Sequence, residues 1–302
     1  MGLESHPSLT SHITPAADMP AVFGMRFSAL GVDQAAALMA RRCAPQHQPA
    51  LIFVTPNIQH IAEMRSSGAL RWAMAGADLI TCDGFPVARY ARLRGCRIPG
   101  RVTGREVVAH LMRDRDLLAG HRLFFLVDGR ETADAVRDWA RRPENRVSCS
   151  IEIAPQGFGT DNEYCDRLAA RIAAFGATMC FLCVGAPRSE LFAAKYRDVI
   201  RDCWMLCIGQ SVRVALGVNR EPPEAVVRLH AEWAWRLWCE PKRLFARYAL
   251  GTVGFGLAVM QDIARSMTGK RSPQSASKLN LMSSKMLFQR EDTAPTNREL
   301  SR

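Results

Sequence analysis

The stretch Ala77-Asp-Leu-Ile-Thr-Cys-Asp83-Gly-Phe-Pro-Val87 decides how this chain folds. Ala77–Thr81 reads as a short strand, and it stops abruptly on a carboxylate, a glycine and a helix-opening proline. Strand, polar turn and then helix is the repeating unit of an open parallel sheet. The same unit recurs on both sides. Leu51–Thr55 runs into Thr55-Pro-Asn57, and Arg122–Val127 ends on Asp128-Gly129. Val147–Ala154 leads to Gly157-Phe-Gly159, Met179–Val184 to Gly185-Ala-Pro187, and Trp204–Ile208 to Gly209-Gln210. Helical spacing of apolar residues marks Val32–Arg42, Ile58–Ala75, Arg105–Ala119, Thr132–Arg141, Asn162–Phe175 and Leu191–Ile200, and Val22–Phe27 reads as a first short strand. Short apolar strands alternating with amphipathic helices predict an α/β fold: a Rossmann-like, mainly parallel sheet with helices on both faces.

Composition divides the 302 residues into four parts. Residues 1–20 are expected to form a flexible leader, 21–217 the α/β core, 218–262 a basic, aromatic helical appendage and 263–302 a disordered tail. The appendage interleaves Trp233, Trp235, Trp238, Phe245 and Tyr248 with Arg228, Arg236, Lys242, Arg243 and Arg247. Rings at headgroup depth and cations on phosphates suit an anionic bilayer surface. The alternative is a helix that buries its tryptophans on the core. The net charge of +11 points the same way, toward an anionic partner. Nucleic acid is disfavoured because the chain carries no recognisable nucleic-acid module.

No segment reaches the roughly 20 apolar residues of a membrane span, and the N-terminus lacks a signal-peptide pattern. The expected place is therefore the cytoplasm, peripherally attached to the inner face of the plasma membrane. Ten cysteines are scattered, several inside apolar runs (Cys180, Cys183, Cys203 and Cys207). Alternation in a strand would turn Cys180 and Cys183 to opposite faces, so they read as buried thiols and not as half a zinc site.

Ligands of an open parallel sheet collect beyond the carboxyl ends of its strands. Asp83 there could take a proton from an attacking hydroxyl. Alternatively it caps a short helix near Val87–Leu93. Thr55 and Asn57 could hydrogen-bond a sugar or uracil, or cap the helix from Ile58. Arg101 and Arg105, flanking a helix start, could cradle a diphosphate, or be surface arginines. Asp114-Arg-Asp116 spells the DxD of metal-dependent sugar transfer but falls late in a helix, where it reads as a solvated face. His230-Ala-Glu232 lacks the PCxxC of zinc deaminases. The absence of GxGxxG after the first strand and of GxxxxGK[ST] disfavours dinucleotide and P-loop enzymes.

In order, these turns resemble the WecG/TagA/CpsF family, glycosyltransferase family 26, from about Phe23 to Tyr248. The resemblance rests on Thr55-Pro-Asn57, Ala77–Val87, Arg101-Val-Thr-Gly104 and Val184-Gly-Ala-Pro187 with Glu190. It continues through Glu232-Trp233, Arg236-Leu237, Glu240-Pro241, Arg243 and Arg247-Tyr248. It implies an inverting, metal-independent transfer without cofactor, from a UDP-sugar to an undecaprenyl-diphosphate-linked amino sugar, in bacterial surface-polysaccharide synthesis. The donated sugar is expected to be N-acetylmannosamine or a related hexose or uronic acid. By the same resemblance Asp83 is the base. Thr55, Asn57, Arg101, Gly185, Pro187 and Glu190 line the pocket, and Arg236 and Arg243 close over it from the appendage. An oligomer is compatible with all of this. Three stretches depart from the family pattern: Ser189 stands where a glutamine is usual, Val212-Arg213 replaces an aromatic-Asp pair, and Arg220-Glu221-Pro222 replaces Arg-Ala-Pro. Those departures keep open a second reading, a non-catalytic nucleotide-sugar-binding or scaffold subunit.

Overall fold

The computed structural model describes residues 19–41, 47–145, 147–219, 226, 234, 235, 238 and 241–268, with no side chains for 241–249. The leader up to residue 18, the tail from 269, Arg228, Trp233 and Arg236 lie outside the described residues.

The elements follow in the order α1 (Val32–Ala40), β1 (Leu51–Val54), α2 (Ile58–Glu63), α3 (Gly68–Ala75), β2 (Leu79–Ile80), α4 (Phe85–Leu93), α5 (Gly104–Arg113) and α6 (Arg115–Leu118). Then come β3 (Arg122–Val127), α7 (Arg130–Ala140), β4 (Ser148–Ile153), α8 (Asn162–Phe175), β5 (Met179–Leu182), α9 (Arg188–Tyr196), β6 (Trp204–Cys207), α10 (Ser211–Ala215) and α11 (Pro241–Met267). The six strands form one sheet in the order β2-β1-β6-β5-β3-β4. Every pairing in it is parallel.

Both faces are buried along the central strands, which is why those are apolar, whereas the edge strand β4 carries Ser148, Ser150 and Glu152 and is only partly buried. On one face Ile52, Val54, Leu126, Cys180 and Leu182 pack under α2, α3, α4, α8, α9 and α11. On the other, Phe53, Leu123, Phe125, Phe181, Cys183 and Leu206 pack under α1, α5, α6, α7 and α10. Cys180 and Cys183 thus face opposite ways, as alternation requires. Neighbouring β1 and β6 send their following helices to opposite faces, so their carboxyl ends open a crevice.

Three expected elements differ from the sequence reading. Val22–Phe27 is not a strand but a tight reversal, with a bridge between Val22 and Met25 and left-handed backbone at Phe23 (φ 54°) and Gly24. Phe23 is held there by its ring, 5.0 Å from Tyr90, and by its N–H, which donates to Asp262 at 2.9 Å. The helix expected over Ile58–Ala75 breaks in two because Ser67 caps a new start, its Oγ accepting the Leu70 N–H. The one over Arg105–Ala119 breaks at Asp114, whose side chain caps α6. The DxD spelling is therefore a helix junction on the surface.

The last described helix, α11, is continuous for 27 residues and passes the boundary expected at 262. It crosses α2 so closely that a Cβ on Gly254 would lie 2.5 Å from Ala62 Cβ. Buried Asp262 fixes its far end, accepting from Phe23 N–H, Tyr90 Oη and the Arg94 guanidinium. The opposite side exposes Leu250, Val253, Leu257, Met260, Ile263 and Met267.

Candidate active site

Three turns meet at the carboxyl edge of the sheet beside the crevice. Asp83 follows β2, half-buried, and its N–H donates to the Pro56 carbonyl at 3.1 Å. One residue earlier the Cys82 carbonyl accepts the Val102 N–H at 2.9 Å, and Thr81 Oγ1 donates to the Val102 carbonyl at 2.9 Å. The turns after β1 and β2 and the segment before α5 are therefore stitched by backbone bonds. The N-cap of α4 is Gly84, at φ 96°, a left-handed conformation that favours glycine. Asp83 stands one residue ahead of that cap position.

Gly104 opens α5 in tight quarters. A Cβ there would lie 3.3 Å from Ile208 Cγ2 and Ser211 Oγ and 3.4 Å from buried Thr55 Oγ1. Glycine thus lets the α5 N-terminus reach the ends of both β1 and β6. Thr103 and Glu106 form a capping box at this terminus, with the Thr103 N–H donating to Glu106 Oε2 at 3.0 Å. Arg101 donates to Glu106 Oε1 at 3.0 Å, and its guanidinium lies 5.1 Å from the centre of the Phe85 ring. Those contacts aim Arg101 across the start of α5, beside the turn that carries Asp83.

Asn57 caps α2, its Oδ1 accepting the Gln59 N–H at 3.0 Å and the His60 N–H at 3.3 Å. Its own N–H donates to His60 Nδ1 at 3.1 Å. Beyond β5, Gly185 and Pro187 form a partly exposed turn with a cis Ala186–Pro187 bond. Glu190, one turn into α9, is buried at 4% exposure, facing His60 Nε2 at 3.7 Å. Burial, with the charge of Glu63 adding to it, pushes the Glu190 carboxyl up to about 7, and its Oε2 has no hydrogen-bond partner among the described residues. Cys82 is pushed above the usual thiol range by burial, with Cys96 and Asp83 contributing.

Ser189 and Arg213, which depart from the family pattern, are internal braces. Ser189 is buried and donates to the Leu182 and Gly185 carbonyls. Arg213 ties α10 to the start of α7 through Thr132 Oγ1 at 2.7 Å and Glu131 Oε2 at 2.6 Å. The backbone of Arg243 lies in α11, but its side chain, like all of Arg236, falls outside the described residues. Sequence reasoning passed over His60, Glu106 and Phe85. The Thr103-x-x-Glu106 spelling signalled the capping box, whereas nothing local marked His60.

The sequence profile described as the glycosyl transferase WecG/TagA/CpsF family matches residues 20–269. A relative from Bacillus spizizenii (strain ATCC 23059 / NRRL B-14472 / W23) is 28% identical over 197 residues, covering 63% of this chain and 72% of its own. One from Bacillus subtilis (strain 168) is 27% identical over 212 residues, covering 67% and 75%. Both are named N-acetylglucosaminyldiphosphoundecaprenol N-acetyl-beta-D-mannosaminyltransferase. Sheet, site turns and relatives together define a glycosyltransferase with a Rossmann-like parallel core. More narrowly, the chain belongs to the glycosyl transferase WecG/TagA/CpsF family.

Proposed function

We propose that this glycosyltransferase moves an N-acetylmannosamine-type sugar, or a related hexose or uronic acid, from a UDP-sugar to an undecaprenyl-diphosphate-linked amino sugar. Asp83 is the base. It takes the proton of the acceptor hydroxyl as that oxygen attacks the anomeric carbon. The bond to the UDP oxygen breaks in line, so the configuration inverts and UDP departs with the electron pair. Transfer needs no metal: Arg101, together with Arg236 and Arg243 of the appendage, offsets the charge on the leaving diphosphate, which is where such catalysis gains most. Thr55, Asn57, Gly185 and Pro187 border the donor.

The observation that carries this reading is the placement of Asp83. It precedes the helix cap, its backbone is held by the Pro56 carbonyl, and it lies on the stitched turns that also carry Thr55 and Arg101. The names of the relatives supply the acceptor class. The exposed apolar side of α11 supports peripheral attachment at the cytoplasmic membrane face, and none of the described helices is long and apolar enough to cross a membrane. A panel of UDP-sugars incubated with a short-chain lipid-diphosphate N-acetylglucosamine acceptor tests the proposal. UDP release with acceptor-dependent product from an N-acetylmannosamine-type donor supports it. Turnover of none of these donors refutes it.

A further inference from the structure

One side chain lies between the turn after β1 and helix α9. His60 sits in the first turn of α2, and its Nδ1 accepts the Asn57 N–H at 3.1 Å. A neutral imidazole that accepts at Nδ1 carries its proton on Nε2. Nε2 faces the buried carboxyl of Glu190 at 3.7 Å, across from α2 on α9. Asn57 is followed back along the chain by Pro56, whose carbonyl holds the Asp83 N–H at 3.1 Å. Hydrogen bonds therefore run from His60 through the Thr55-Pro-Asn57 turn to the backbone of Asp83, with Glu190 facing the far side of the imidazole at 3.7 Å.

We propose that His60 is a positioning residue: held as the Nε2–H tautomer by Glu190, it fixes the turn after β1 and through it the carboxylate of Asp83. Glu190 acts from beneath the turn and not on the donor. Among the described residues the buried Oε2 has no hydrogen-bond partner, so this carboxyl is kept where solvation is poor, with the imidazole facing its other oxygen, Oε1. Other titratable groups facing the pair are Glu63, on the same helix as His60, and Cys207 at the end of β6. From α11, Gly251 and Gly254 pack on this helix, and the Asp262 carboxylate is engaged by Arg94 and Tyr90. Protonation of His60 would convert Nδ1 into a donor and break its bond to Asn57, so the tautomer and the order of the turn rise and fall together.

This inference rests on Asp83 being the base, and its test separates the two. Long-range proton–nitrogen spectra of protein labelled in its histidine rings, with His60→Gln identifying the signal, report the tautomer without any substrate. The expected result at neutral pH is Nδ1 bare and Nε2 protonated, retained in Glu190→Gln and replaced by a mixture in Glu190→Leu. An Nδ1–H ring in the wild type, or an unchanged spectrum in Glu190→Leu, overturns the coupling. In turnover, His60→Ala should lower kcat by about tenfold, the scale of a slightly misplaced reacting group. His60→Gln, which restores an acceptor at the third helical position, should recover kcat to within about threefold. An alanine variant with wild-type kcat, or a glutamine variant no better than alanine, overturns the positioning role. Wild-type protein inert toward every donor would refute the transfer reading, while the spectra would still decide the tautomer.

Discussion

At the residue scale, Glu190 makes a pH prediction whose sign follows from its burial. Its folded carboxyl sits at about 7, above the ordinary 4.5. Folding therefore favours its protonated form. The stability it contributes is fully present below about 4.5 and lost as pH rises through about 7. The difference is worth about 3 kcal/mol at most. Urea unfolding of Glu190→Gln should accordingly vary less across pH 4.5–7 than that of the wild type, and parallel pH curves would refute the assignment. The sequence offered Glu190 only as a member of a motif, with no sign of its depth. It also could not distinguish Asp83 from a helix cap, because one residue decides which side of the helix start a carboxylate falls on. The helix start at Gly84 puts Asp83 one residue ahead of the cap position, and that register is not written in the spacing.

At the element scale, most strands were legible because a parallel sheet buried on both faces demands unbroken apolar runs, as in Phe124–Val127 and Met179–Leu182. What escaped were local breaks. Ser67 and Asp114 interrupt apolar patterns that continue in helical phase across them, so periodicity alone reads through. Val22–Phe27 mimics a strand because its apolar residues are buried, yet they are buried in a turn that clasps α11. That clasp is testable. Asp262→Ala would leave Phe23 N–H, Tyr90 Oη and Arg94 without their shared acceptor, and should cost about 3 kcal/mol or more in urea unfolding. Two glycines in the same helix should behave oppositely. Gly254→Ala drives a methyl into Ala62 and should destabilise by about 1–3 kcal/mol. Gly256→Ala meets nothing within 4 Å and should stabilise by up to about 1 kcal/mol. Equal effects would contradict the close crossing of α11 over α2.

At the scale of the whole molecule, a basic protein presents one apolar helix side while its site opens at the sheet edge. Replacing Leu250, Leu257 and Met260 together by glutamine should weaken binding to anionic vesicles at least about tenfold, given about 0.8 kcal/mol per buried methylene. Thermal unfolding should be nearly unchanged, since all three side chains are exposed. Undiminished vesicle binding would move the attachment elsewhere, and the basic residues 228–247 would be next to test. Turnover should also persist in saturating EDTA, with arginines serving the leaving diphosphate; a loss restored by magnesium or manganese would contradict metal-free transfer.

The central claim is that Asp83 removes the acceptor proton, and Asp83→Asn tests it most directly because size is kept and basicity lost. With the best UDP-sugar and a lipid-diphosphate acceptor, kcat should fall by about 10²–10⁴, the usual worth of a general base. UDP binding measured on the same preparation should stay within about twofold, since Asp83 acts on the acceptor oxygen. A variant that retains most of its turnover would contradict the mechanism, leaving Asp83 as part of the turn and the base still to be found.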